Sequence, residues 1–149
     1  MAGTVEQIWI KRMKQGPMDE AAHVTAYANS GLKGNADQRG KRQVTILEKE
    51  NWVAAMAELN GDLDPSRRRA NLLVSGISLK DSRLKTLEIG NTRIQIYGET
   101  KPCEQMDAAL PGLKDTLNKE WRGGVYGVIL NDGEIHLGDP VTFIESQSD

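Results

Sequence analysis

The 149-residue chain carries one cysteine, two histidines and few aromatics, the last at 5% of residues. A single thiol, Cys103, excludes an internal disulfide and fits a reducing cytoplasm. His23 and His136 stand far apart, with no His-x-x-x-His or Cys-x-x-Cys spacing, so a zinc site would have to be gathered from scattered carboxylates. No sign of charge dominates: 19 Lys and Arg face 21 Asp and Glu, a net charge of −2. That balance argues against a general nucleic-acid binder, which needs basic excess to hold phosphates. Long apolar runs are missing as well. The longest, Val125 to Leu130, falls far short of the ~20 residues of a bilayer-spanning helix. The first residues, Met1 to Glu6, lack the basic start and apolar middle of a signal peptide. There is no phosphate-binding G-x-x-x-x-G-K-[ST], no G-x-G-x-x-G and no G-x-S-x-G elbow. Asn60-Gly61-Asp62-Leu63-Asp64 opens like a calcium loop, but Pro65 and Asn71 occupy its glycine and glutamate positions, so it reads as a turn. What remains is one soluble domain over 1–149, long enough to bury a core without disulfides.

Short β-forming runs punctuated by glycine and proline fill most of the chain. Strands are predicted at Val5–Ile10, His23–Tyr27, Val44–Leu47 and Leu72–Val74, with a glycine-rich loop over 31–41. Trp52, Val53, Met56 and Leu59 fall at helical spacing among alanines, and Asn60-Gly61 ends that helix. Thr86–Ile89 and Thr92–Tyr97 flank Gly90-Asn91 as a hairpin. A second hairpin is expected where Val125–Leu130 and Ile135–Leu137 flank Asn131-Asp132-Gly133. A short helix near Gly112–Lys119 and a strand at Pro140–Ile144 complete the reading. Many short strands with few helices point to a closed or partly closed antiparallel barrel.

Cys103 is the sharpest chemical candidate. Pro102 fixes the backbone before it, and Lys101 two residues back would favour its thiolate form if the extended chain persists. The plainer alternative is a small buried hydrophobe. Arg67-Arg68-Arg69 with Asn71 comes second. If strand begins at Ala70, Arg69 and Asn71 share a face while Arg68 points away, and Arg69 could fork onto an oxyanion. Its plainer use is a solvated positive edge against aggregation. Lys33, Arg39, Lys41 and Arg42 make the glycine loop basic, able to offer cations and N–H groups to an anion or merely to be solvated. Trp9, Trp52 and Trp121 read as core or edge anchors, and Gly123-Gly124 as backbone punctuation.

Taken in order, Gly40-Lys41-Arg42-Gln43-Val44-Thr45, the run Arg68 to Ile77, Ile89-Gly90, Gly98 to Asp107, Pro111-Gly112-Leu113, Arg122-Gly123-Gly124 and Gly133 to Val141 resemble the MOSC domain. That domain is the C-terminal part of molybdenum-cofactor sulfurases and also occurs as a small free-standing protein. The resemblance implies a single mainly-β domain, a MOSC-type (pyruvate-kinase-barrel-like) barrel with a few peripheral short helices. It also implies a pocket for the pyranopterin molybdenum cofactor, with Cys103 as molybdenum ligand or persulfide carrier. Arg69 and Asn71 match the family's Arg-x-Asn pair, expected to hold the phosphate and pterin parts. Arg68, Arg42, Lys33, Lys101 and Thr100 are expected around the same ligand. Two activities follow: reduction of N-hydroxylated compounds with electrons from a partner protein, or sulfur transfer between a donor and an acceptor. The alternative from another class is a non-catalytic cofactor- or protein-binding module in which Cys103 is structural. Three departures stand out. Gly34-Asn35 replaces the family's frequent Gly-Asp, which also admits a bare scaffold. These residues have no room for the pyridoxal-phosphate domain, so that cofactor is not expected. The N-terminal barrel of amidoxime-reducing relatives is absent too, which leaves the pocket incomplete or completed by a partner.

Overall fold

The computed structural model describes residues 2–36, 38 and 40–144. Its strands are β1 (Gly3–Lys11), β2 (Met18–Ala21), β3 (His23–Tyr27), β4 (Gly31–Leu32), β5 (Val44–Glu48) and β6 (Leu72–Ser75), followed by β7 (Thr86–Ile89), β8 (Thr92–Glu99), β9 (Val125–Ile129), β10 (Gly133–His136) and β11 (Pro140–Ile144). Seven of them run β11-β7-β8-β9-β5-β6-β1, and β1 returns to β11 through Gly3↔Val141 and Thr4↔Pro140, closing a barrel. The expectation of a mainly-β barrel with a few short helices is met. β2 hangs on the far half of β1, and β10, β3 and β4 form a separate small sheet.

Two details of the sequence reading change. The barrel is not wholly antiparallel, because β5 and β6 pair in parallel with Ile46 opposite Leu72. Parallel neighbours need a crossover, here helix α1 (Lys49–Leu59) and a 3-10 turn at Pro65–Arg68. Secondly, Asn131-Asp132-Gly133 does not turn a hairpin. β9 pairs with β5 and β8, whereas β10 pairs with β3. The side chains explain the divergence: Asn131 Oδ1 accepts from Arg93 N at 2.7 Å and Asp132 Oδ1 from Ala28 N at 2.8 Å. They tie the connection to both sheets instead of folding it back on itself.

Alternation along the strands separates two cores. Val44 and Ile46 of β5, Leu72 and Val74 of β6, and Ile8 and Ile10 of β1 fill the barrel interior. Their neighbours Leu47, Leu73 and Trp9 face outward and pack against the helices. Those helices are α1, α2 (Glu104–Ala109) and α3 (Leu113–Leu117), which contribute Trp52, Met56, Met106, Leu113 and Leu117. α1 stops at Asn60, whose φ of 51° is left-handed, as the Asn-Gly pair predicts. Thr45, between Val44 and Ile46, points to the same outer side as Leu47, and the candidate site grows around it.

Candidate functional site

Three chain segments meet beside Thr45. The first is the 3-10 turn, which stops at Arg68 because Arg69 adopts a left-handed φ of 64°. β6 therefore starts only at Leu72, so strand alternation from Ala70 does not set these side chains: Arg69 and Asn71 share one hollow without Arg68, but Arg69 also shares another with it. The left-handed residue reverses the local direction, so Arg68 and Arg69 line the same hollow with Arg42, Thr45, Thr100 and Gly123.

Arg68 is the best-fixed of these side chains. Its Nε donates to Gly123 O at 3.0 Å, and its Nη2 donates to Thr100 O at 3.0 Å and Thr100 Oγ1 at 3.2 Å. Thr100 Oγ1 in turn donates to Gly123 O at 2.6 Å. Glycine is needed at 123, since a Cβ there would lie 2.4 Å from Thr100 O. Burial pushes the Arg68 pKa down to about 10, the charge of Arg42 adds to that, and Cys103 opposes it. Arg68 thus feels both the neighbouring cation and the thiol, yet remains charged at neutral pH.

Cys103 is exposed and stands at the N-cap of α2, where its carbonyl accepts from Met106 N at 2.9 Å. The buried-hydrophobe alternative therefore does not describe it. Two residues, Lys101 and Pro102, separate it from Thr100, so the lock between Thr100 and Arg68 also anchors the segment carrying the thiol.

Arg42 and Arg69 continue into a second hollow of about 60 Å³, shared with Lys11, Asn35, Thr45 and Asn71. Arg69 Nη2 donates to Gly16 O at 2.6 Å. None of Arg42, Arg68 and Arg69 has an ion-pair partner among the described residues, whereas Arg12, Arg93 and Arg122 each hold a carboxylate. Three guanidiniums gathered without a counter-charge have the charge and the donor geometry to hold an anion. Larger grooves of about 370 and 300 Å³ run along β1, but there Glu6 is engaged by Lys49 and Ser75, and Glu20 by Gln7. Size therefore does not decide; unpaired charge does.

Of the other expected residues, Lys33 is exposed at the turn after β4 and Lys101 pairs with Glu99 at 2.8 Å; neither lines these two hollows. Arg39 lies outside the described residues. Thr45, whose Oγ1 accepts from Asn71 N at 3.0 Å, was not singled out by sequence reasoning. Its only signal was a place in the Gly40–Thr45 run. Among the described residues no helix is long and apolar enough to cross a membrane.

A family model described as the MOSC domain matches residues 19–142. The chain belongs to the MOSC domain family. β1 precedes the matched span yet closes the MOSC barrel. Solved structures agree in shape. YuaD from Bacillus subtilis superposes with a TM-score of 0.79 at 17% identity, covering 95% of this chain and 94% of that one. YiiM from Geobacillus stearothermophilus gives 0.77 at 17%, covering 96% and 75%. YiiM from Escherichia coli gives 0.75 at 14%, covering 100% and 72%. At these identities the likeness carries the fold alone. No curated protein matches this MOSC chain.

Proposed function

We propose that the cleft binds the pyranopterin molybdenum cofactor, with Arg42 and Arg69 on its phosphate and Cys103 as thiolate ligand to molybdenum or as carrier of a persulfide. The observation that carries this reading is the gathering of three guanidiniums lacking a counter-charge in one hollow, with an exposed thiol a short way along the chain from Thr100 on its wall. The donor set fits the group. Guanidinium forks match phosphate oxygens, and thiolate is a soft ligand suited to a sulfur-bound metal. Among the described residues no group of three or more His, Cys, Asp or Glu is placed to hold a metal ion. Cys103 would thus supply one ligand to a metal that brings its others with it.

When bound, the cofactor supplies two-electron redox chemistry at its metal. The chain's own residues bind and orient. Arg68 keeps a positive charge on the wall that leads to the thiol, Thr100 and Gly123 hold that guanidinium still, and Lys33 adds attraction for an approaching anion at longer range, while Glu99 offsets the charge of Lys101. In the reductase form, two electrons from a partner protein and two protons convert an N-hydroxyl group to N–H and water. In the sulfur-transfer form, Cys103 exchanges a persulfide with a donor and an acceptor. Either activity suits a reducing compartment such as the cytoplasm, where an exposed thiol survives.

Metal and pterin content of protein from a host that makes the cofactor tests this, with wild type beside Cys103→Ser. Near-stoichiometric molybdenum in wild type, lost in the variant, is the expected result for a thiolate ligand. Molybdenum in neither, with a persulfide on Cys103 by mass spectrometry, selects the sulfur carrier. Absence of both would overturn the proposal.

A further inference from the structure

Two side-chain amides meet at the second hollow, and their hydrogen bonds are not equivalent. Asn71 is 5% exposed and fully engaged. Its Oδ1 accepts from Thr45 N at 3.1 Å and Thr45 Oγ1 at 3.3 Å. Its Nδ2 donates to Trp9 O at 3.2 Å and Asn35 Oδ1 at 3.1 Å. A primary amide has two N–H donors and two acceptor lone pairs, so Asn71 has nothing left for a ligand.

Asn35 differs. Its Oδ1 accepts from Lys11 N at 2.8 Å and from Asn71 Nδ2. Two donors on that atom fix which end of the amide is oxygen and turn Nδ2 the other way. Among the described residues the acceptor for Nδ2 is Ala36 O at 3.5 Å, the outer limit of a hydrogen bond. Asn35 also lines the hollow with Arg42 and Arg69, and no carboxylate among the described residues does so.

We infer that Asn35 is the ligand-facing amide of this cleft, donating Nδ2–H to an oxyanion held by Arg42 and Arg69, and that Asn71 is the positioning residue that aims it. The inference rests on the anion-binding reading above and reverses the roles that the Arg-x-Asn spacing suggests. It also makes Asn35 a specificity determinant. Aspartate at 35 would accept the same bonds from Lys11 and Asn71. Its second oxygen, however, would bring negative charge into the hollow, pair with Arg42 or Arg69, and repel the anion.

The probe is inorganic phosphate, titrated at low ionic strength into ¹⁵N-labelled protein while the Asn35 side-chain amide and the Nε resonances of Arg42 and Arg69 are followed. All three are expected to shift together and saturate. Asn35→Asp should weaken binding about tenfold or more, a loss of about 1.4 kcal/mol, and Asn35→Ala only a few-fold. Asn71→Ala should abolish the Asn35 response while the arginines still titrate, which lost stability alone would not do. Thermal midpoints establish that each variant is folded. Arginine shifts without an Asn35 shift, or unaltered binding in Asn35→Asp, would overturn the inference and leave the anion-binding reading standing. No shift at any of the three in wild type would overturn both.

Discussion

Arg68 joins two stretches of chain that are far apart in sequence, through carbonyls and a hydroxyl that have little access to water. Replacing it with alanine removes a charged donor from Gly123 O and Thr100 O together. Hydrogen bonds to charged groups contribute about 1.5–3 kcal/mol each at most, with imperfect additivity. Arg68→Ala is therefore expected to cost about 2–3 kcal/mol in urea unfolding, and Arg68→Lys to recover less than half, because an ammonium cannot fork across both acceptors. Equal stability for the lysine variant would show that charge alone is what matters there. The arginine triplet was legible as a cation cluster from its residue types. The assignment of jobs within it was not, because it depends on one left-handed residue, Arg69, a conformation that non-glycine residues adopt rarely and that no local pattern announced.

At the scale of elements, the junction of β5 and α1 holds a buried carboxylate. Glu48 Oε2 accepts from Asn51 Nδ2 at 2.8 Å and from Leu79 N at 3.1 Å, so it links the start of α1 to the segment after β6. Burial raises its pKa above the ordinary 4.5, the Leu79 N–H opposes that, and the charge of Glu50 adds to it. The folded state then holds this proton more tightly than the unfolded chain. Stability contributed here is fully present below the unfolded value and is lost as pH rises through the raised folded one. Glu48→Gln keeps an acceptor and cannot ionise. It should raise the urea midpoint at pH 8 and flatten the decline between pH 4 and pH 8; an unchanged pH profile would locate that decline elsewhere. Element types in this region were readable from period, since Trp52 and Met56 repeat as a helix while Val44 and Ile46 alternate. α2 went unseen because six residues carry too little periodicity, and the parallel pairing of β5 with β6 because pairing is not a local property.

For the molecule as a whole, closure depends on β11, which pairs with β7 on one edge and β1 on the other. Val141 sits at that seam, fully buried and opposite Gly3 and Ile89. Val141→Asp would place an unpaired carboxylate in the barrel wall, at a cost of about 3 kcal/mol or more. That corresponds to a fall in Tm of roughly 10 °C for a chain of this size. Calorimetry checks it, and a fall of only a degree or two would show that the barrel tolerates an open seam. A barrel was legible from strand number and spacing, yet the order of strands within it was not. The Asn131-Asp132-Gly133 connection shows why: residues that favour a tight turn also offer acceptors to distant backbone, and here the distant partners win.

The walls of the cleft come from Lys11, Asn35, Ala36, Arg42, Thr45, residues 68–71, Thr100 and Gly123, which only the closed barrel brings together. A ligand of that cleft can therefore bind the native chain and not the unfolded one, and mass action couples occupancy to survival. At a free concentration one hundred times its Kd, such a ligand adds about 2.7 kcal/mol to the folding free energy. Loading and persistence of the protein are in this sense one equilibrium, so the supply of its ligand also sets how much of the chain escapes unfolding and degradation.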